Sequence, residues 1–170
     1  GGKGGSNPIA PTGGDTTTAF GFNALGGGRG ATEWDNTNDG GLNYFNVVYG
    51  ATSGASGGGG TWGTGTNPNP GVGTAGQGNS GGGGGGVSNP INFAGGGGGG
   101  AGSAGETATS VWSIGGKGGS GVLSLVLNQR VAGGGGGASR FSTSDTRTGV
   151  AVDGGGNGAW NDNKWPGESG

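Results

Sequence analysis

The chain contains no cysteine, no methionine and no histidine. Without cysteine there is no disulfide framework, the usual staple of a domain that lacks a core. Without histidine, general acid–base work near neutral pH loses its commonest agent, and a zinc site loses both of its preferred ligands. Charge is also scarce: 9% of the residues are charged, against about 25% in an average soluble domain. Lys and Arg number 7 against 9 Asp and Glu, a net charge of −2. That balance is neither the footprint of a nucleic-acid binder nor a polybasic membrane patch. The longest largely apolar stretch, 122–127, is far too short to cross a bilayer. Hydrophobic residues make up 26% of the chain, too few for a conventional core. No catalytic residue, cofactor or metal site is expected. The chain also opens on Gly1 with no signal sequence, so it reads as a piece of a longer protein.

What is abundant is glycine, 56 residues of 170, much of it in unbroken blocks at 57–60, 81–86, 95–100, 133–137 and 154–156. Collagen would need glycine at every third position with abundant proline, and the solid blocks with only 6 prolines exclude it. A flexible linker is the bland alternative, but Trp, Phe and Tyr recur between the blocks throughout. The remaining state is a bundle of polyglycine-II helices, which resemble polyproline II with three residues per turn and a rise of about 3.1 Å. Ordering one backbone residue costs roughly 1–2 kcal/mol. A hydrogen bond returns about 1 kcal/mol, and a Cα–H···O contact about 0.5–1 kcal/mol. A lone glycine helix cannot offset that cost, whereas a bundle that pairs nearly every N–H can. The expected fold is therefore neither α nor regular β: a single domain over 1–170, a bundle of packed polyglycine-II helices with short β-like hairpins and polar or aromatic loops.

Internal repetition supports the bundle. Residues 1–6 and 115–120 are the same hexapeptide, Gly-Gly-Lys-Gly-Gly-Ser, so the side chains of Lys3 and Ser6, or of Lys117 and Ser120, recur every third residue. On a threefold helix they share one outward face, and the other faces are bare backbone ready to pack. The hexapeptides read as peripheral helices and the solid blocks as interior ones, with Gly81, Gly84, Gly95, Gly98, Gly133 and Gly136 as scaffold positions. Ser-Asn-Pro-Ile occurs at 6–9 and again at 88–91 as a turn signal. Short β-like pieces are expected at 20–25, at 44–49 and at 122–127, where Leu123, Leu125 and Leu127 alternate.

Glycine blocks alternating with polar, aromatic-bearing loops, and a Gly-Gly-x-Gly-Gly-Ser motif leading through a short strand into the next block, resemble the glycine-rich repeat domains of bacteriophage tail fibres. The pattern is similar in kind to the distal adhesins of T-even-type phages. The resemblance implies a polyglycine-II sandwich in an extracellular or virion setting, whose loops bind the host surface. It spans essentially the whole chain, although no fibre-attachment domain is recognisable. Snow-flea antifreeze proteins share the lattice type but have a tripeptide repeat and disulfides, which are absent here.

The residues interrupting the glycines supply the candidate contacts. Trp34 stands in Glu-Trp-Asp-Asn with Asp35 and Asn36, Trp62 lies beside threonines, and Trp160 and Trp165 bracket Asn161, Asp162, Asn163 and Lys164. An aromatic face flanked by amides and carboxylates suits a sugar ring. The same tryptophans serve equally as plugs over the open ends of a glycine lattice, and Trp112, beside Val111 and Ile114, reads as a plug. Arg140 and Arg147 either favour an anionic glycan or form a solvated face. The stretch 35–40 begins like a calcium loop, but Thr37 and Asn46 depart from the ligand pattern and it reads as a polar turn. Gly-Ala-Ser-Gly-Gly at 54–58 matches a nucleophile elbow only by the abundance of glycine. The expected function is a non-catalytic adhesive module contacting a bacterial surface glycan or outer-membrane protein, with no nucleic acid and no membrane insertion. A self-assembling extracellular filament or sheath made of copies of the chain is the alternative, and ice binding a third.

Overall fold

The structure is a computed structural model that describes residues 12–34, 47–61, 69–85, 94–109, 114–140, 148–158 and 160–161. Among the described residues there is no helix, and the regular strands form four two-stranded sheets. β1 (Thr17–Ala19) pairs antiparallel with β2 (Phe22–Ala24), β3 (Thr32–Trp34) with β4 (Val47–Tyr49), and β5 (Val122–Ser124) with β6 (Gln129–Val131). β7 (Ser139–Arg140) pairs in parallel with β8 (Trp160–Asn161). The fold is thus neither α nor regular β. Most of the described chain lies outside these strands, in extended glycine-rich segments that bond to one another.

Segment 94–101 shows the rule. Gly95, Gly98 and Ala101 donate their amides to Ala138, Gly135 and Ala132, while Gly96 and Gly99 donate to Gly60 and Gly57. Gly97 and Gly100 donate to Glu106 and Ser103. The carbonyls of Ala94, Gly97 and Gly100 accept from Gly85, Gly82 and Asn79, and those of Gly95 and Gly98 from Gly116 and Gly119. Both patterns repeat every third residue, giving three amide directions and two carbonyl directions around one segment. The segments of the surrounding ring bond to each other in the same steps: Gly134 and Gly137 to Gly119 and Gly116, Glu106 and Thr109 to Lys117 and Ile114. Gly105 and Ala108 then reach Ser80 and Gly83, and Gly57 and Gly60 reach Asn79 and Gly82.

This spacing leaves no room for side chains. A Cβ on Gly97 would overlap the Lys117 carbonyl, and one on Gly58 the Arg29 carbonyl. Ala94 and Ala108 are the buried hydrophobic residues among those described, and Thr61 and Ser139 the buried polar or charged ones. The core is therefore backbone. In the second hexapeptide Gly115, Gly116, Gly118 and Gly119 are buried and Lys117 is exposed, which fits a peripheral position with one decorated face.

The hydrogen-bond register also sorts the connections onto two ends. Phe20 and Gly21, the bend at 101–103, the 125–128 turn and the Asp153–Gly154 turn share one end with the turn at 75–77. Among the described residues, the non-glycine residues with positive φ lie there: Phe20 at 52°, Asn128 at 50°, Ala132 at 60° and Asp153 at 46°. At the other end stand Trp34, Val47, Thr61, Gly85, Ala94, Thr109, Ile114, Arg140 and Trp160. These residues flank the intervening segments 35–46, 62–68, 86–93, 110–113 and 141–147. The first can be called the turn end and the second the loop end.

Two β-like pieces differ from the sequence expectation. Phe20 and Gly21 are not strand but the two-residue turn between β1 and β2, where positive φ at both positions matches the right-handed strand twist. The alternation at 122–127 stops at Ser124, and 125–128 is a four-residue turn closed by Asn128 in the left-handed region. Leu125 and Val126 are consequently 88% and 93% exposed rather than packed. Of 44–49, Val47–Tyr49 is strand and the rest lies outside the described residues.

Candidate functional site

The loop end carries those candidate contact residues that are described. Trp34 ends β3 opposite Val47, and Trp160 and Asn161 form β8 opposite Ser139 and Arg140. Asp35, Asn36, Trp62, Trp112, Arg147, Asp162 and Trp165 lie outside the described residues, as does the calcium-like stretch. The lattice thus brings β3 and β8 to one end, because an odd number of crossings separates each from the turns.

The turn end is closed by polar side chains bonding to backbone. Leu25 donates its amide to Gln77 Oε1 at 2.8 Å, and Gln77 Nε2 reaches the Asn23 carbonyl at 3.4 Å, latching the β1–β2 hairpin to the 75–77 turn. Asp153 Oδ2 accepts the Gly121 amide at 2.8 Å, while Arg130 Nη1 donates to the Gly121 carbonyl at 2.8 Å. Arg130 and Asp153 stand 3.9 Å apart. Asn79 Nδ2 donates to the Gly100 and Ala101 carbonyls, and Ser103 Oγ accepts the Ser120 amide. These side chains bond to backbone amides and carbonyls at the edge of the paired segments, the Gly100 carbonyl accepting from both the amide and the side chain of Asn79. Sequence reasoning missed these roles; the Asp153–Gly154 pair was the one turn signal pointing to them.

The scaffold positions fall into two groups. A Cβ on Gly81, Gly133 or Gly136 would overlap the carbonyl of Gly58, Val152 or Gly149. Gly84 is half-buried in the 79–85 segment. Gly95 and Gly98 differ: a Cβ there meets nothing nearer than Ala138 N at 3.4 Å and Gly135 N at 3.6 Å. Both line a groove of about 730 Å³ between segments 27–31, 55–61, 94–101 and 132–139. A Cβ on Gly98, in an expected interior block, would thus make ordinary van der Waals contact with the Gly135 backbone rather than collide with it.

Among the described residues no group of three or more His, Cys, Asp or Glu is placed to hold a metal ion, and no helix is long and apolar enough to cross a membrane. Comparison with protein-family models, curated proteins and solved structures finds no match for this chain.

Proposed function

We propose that this chain is a non-catalytic recognition module of the tail-fibre or adhesin kind: a bundle of polyglycine-II helices that presents loops from one end to a bacterial surface glycan or outer-membrane protein. The polyglycine-II reading is supported by hydrogen-bond directions that repeat every third residue and by glycines whose Cβ would overlap a neighbouring carbonyl. The observation that carries the functional reading is the sorting of connections. Tight turns close one end, and the described residues flanking 35–46, 62–68, 86–93, 110–113 and 141–147 stand together at the other. A backbone core tolerates any sequence beyond its ends, so a set of co-located loops can vary without touching the scaffold. Trp34 borders 35–46 in sequence, Trp62 falls within 62–68, and Trp160 stands beside Asn161, residue types whose chemistry stacks on and hydrogen-bonds to a sugar. The setting is extracellular or on a virion.

The test is binding to intact bacteria and to purified surface glycans. Trp34→Ala and Trp160→Ala are expected to abolish binding, whereas Phe22→Ala and Leu125→Ala at the turn end retain it. Unchanged binding across all loop-end variants overturns the proposal. Electron microscopy of the purified chain separates it from a filament subunit, which would form uniform fibres.

A further inference from the structure

Two hairpins stand clear of the backbone core at the turn end. Every residue of 15–25, the stretch that holds β1 and β2, is exposed, and along 122–132 only Ser124 and Val131 are half-buried. Both hairpins carry large apolar side chains in the open. Phe20 and Phe22 are 99% and 78% exposed, Leu125 and Val126 are 88% and 93%, and Leu123 and Leu127 are more than half exposed. Single apolar residues scattered over a surface need no explanation, but two clusters at one end mark an interaction site. A two-stranded hairpin is also marginal in water unless it packs on something, and these side chains add nothing to a fold held by backbone contacts.

The hydrogen-bond register keeps the two arms close. Gly28, at the foot of the first, donates to Ser56; Gly99 donates to Gly57; and Ala101 donates to Ala132, at the foot of the second. Three steps between hydrogen-bonded neighbours, each roughly 4.8 Å, place the arms within about 15 Å of each other.

Charge and area select the occupant. Neither 16–25 nor 122–129 contains a charged residue, and Arg130, at the foot of the second arm, donates to the Gly121 carbonyl. A lipid surface is gripped by Lys or Arg beside apolar anchors, and these tips have none. A second copy suits them better: uncharged arms meet without like-charge repulsion, although each chain carries a net charge of −2. The exposed parts of the six side chains amount to on the order of 600 Å² per chain. Two copies would then bury about 1,200 Å², within the range of specific, stable interfaces.

We infer that the turn end is the interface of a two-fold dimer of this chain. The hairpin bearing Phe20 and Phe22 in one copy packs on the hairpin bearing Leu125 and Val126 in the other, and the reverse. A two-fold axis between the arms makes the two contacts equivalent, so each apolar tip is covered and assembly closes at two copies. Both loop ends stay free and face away from each other, so the inference goes beyond the recognition reading without depending on it.

The test is sedimentation equilibrium of the purified full chain from sub-micromolar to sub-millimolar concentration. The wild type is expected to reach the mass of two copies. Phe20→Ser/Phe22→Ser and Leu125→Ser/Val126→Ser should each weaken the dimer by about thirtyfold or more, as loss of an interface hot spot does. Their urea midpoints, taken at concentrations where the wild type is monomeric, should match wild type because the replaced side chains are exposed; this separates lost association from misfolding. Charge tests the pairing of unlike arms. Phe20→Lys and Leu125→Glu should each weaken self-association, and their equimolar mixture should associate more tightly than either alone, because the introduced cation then faces the introduced anion. A mixture no tighter than its components overturns the inference. So does a wild type that stays monomeric throughout, and so does growth past two copies, which an open-ended contact would give. Binding of a monomeric wild type to vesicles of phosphatidylethanolamine and phosphatidylglycerol also overturns it, and assigns the tips to a lipid surface.

Discussion

The middle of the bundle and its ends obey opposite rules. In the middle, neighbouring backbones approach so closely that a single methyl group collides with a carbonyl, and the sequence answers with glycine at nearly every position. At the ends the lattice runs out of partners, and side chains take over: Gln77, Asn79, Ser103 and Asp153 bond to leftover amides and carbonyls. Large apolar residues that have no place in the middle stand in the open at the turn end, with Phe20 99% exposed. The contrast teaches that apolar burial is not what holds this fold. Its free energy comes from many weak backbone contacts, each about 1 kcal/mol or less, so it depends on spacing rather than on any one residue's chemistry.

The largest expected effect breaks the middle. Gly97→Ala and Gly58→Ala put a Cβ onto the carbonyls of Lys117 and Arg29, atoms that are held by other segments and cannot yield. Overpacking in a rigid core costs about 1–3 kcal/mol, and the upper end is expected here because backbone has no rotamer to change. Urea denaturation monitored by tryptophan fluorescence reads the loss as a lower midpoint. A midpoint within error of wild type would refute the backbone-spacing account.

At the turn end the expected effects are smaller and run in both directions. Asp153→Ala removes the acceptor of the Gly121 amide and is expected to cost about 1–3 kcal/mol, while Asp153→Asn keeps an oxygen there and loses less. The Arg130–Asp153 pair adds little, because Arg130 is 57% exposed, so raising the salt concentration should leave the Asp153→Ala loss unchanged. Ala132, at φ 60°, sits in a region where an L-residue costs about 1–2 kcal/mol. Ala132→Gly should therefore stabilise the chain by about 0.5–1 kcal/mol. Both are measured by the same denaturation curves, and a stabilising Asp153→Ala or a destabilising Ala132→Gly would sink this account of the turn end.

How much of this was legible in the sequence follows from the same contrast. The spacing of three was readable in the hexapeptide at 115–120, where Lys117 and Ser120 stand three residues apart, and the hydrogen bonds of segment 94–101 recur at the same interval. The order of the segments was not, since glycine carries no register information and identical blocks are interchangeable to the eye. Gly97 and Gly98 are indistinguishable in sequence, yet one meets the Lys117 carbonyl and the other faces the groove. The alternation at 122–127 promised a longer strand, but the strand stops at Ser124 and a turn at 125–128 follows, closed by Asn128 in the left-handed conformation. Trp34 and Trp160 were legible as residues; the placement of β3 and β8 at one end became visible only when the segments were put in order.

The smallest expected change in stability is the one that bears most on function. Trp34 ends β3, and Trp160 begins β8, both at the loop end. If these tryptophans plug the lattice, replacing either by alanine should cost about 3–5 kcal/mol, the usual loss for a large buried aromatic. If they face a ligand, the cost should stay within about 0.5 kcal/mol, as at surface positions, while binding to the bacterial surface falls below detection. Denaturation and adsorption measured on the same preparations of Trp34→Ala and Trp160→Ala therefore decide between plug and contact. A large stability loss with adsorption retained at the remaining folded fraction assigns the tryptophans to the scaffold, and moves the recognition chemistry to the polar residues of the intervening segments. Loss of adsorption at full stability means that the ends can change partner without consulting the middle.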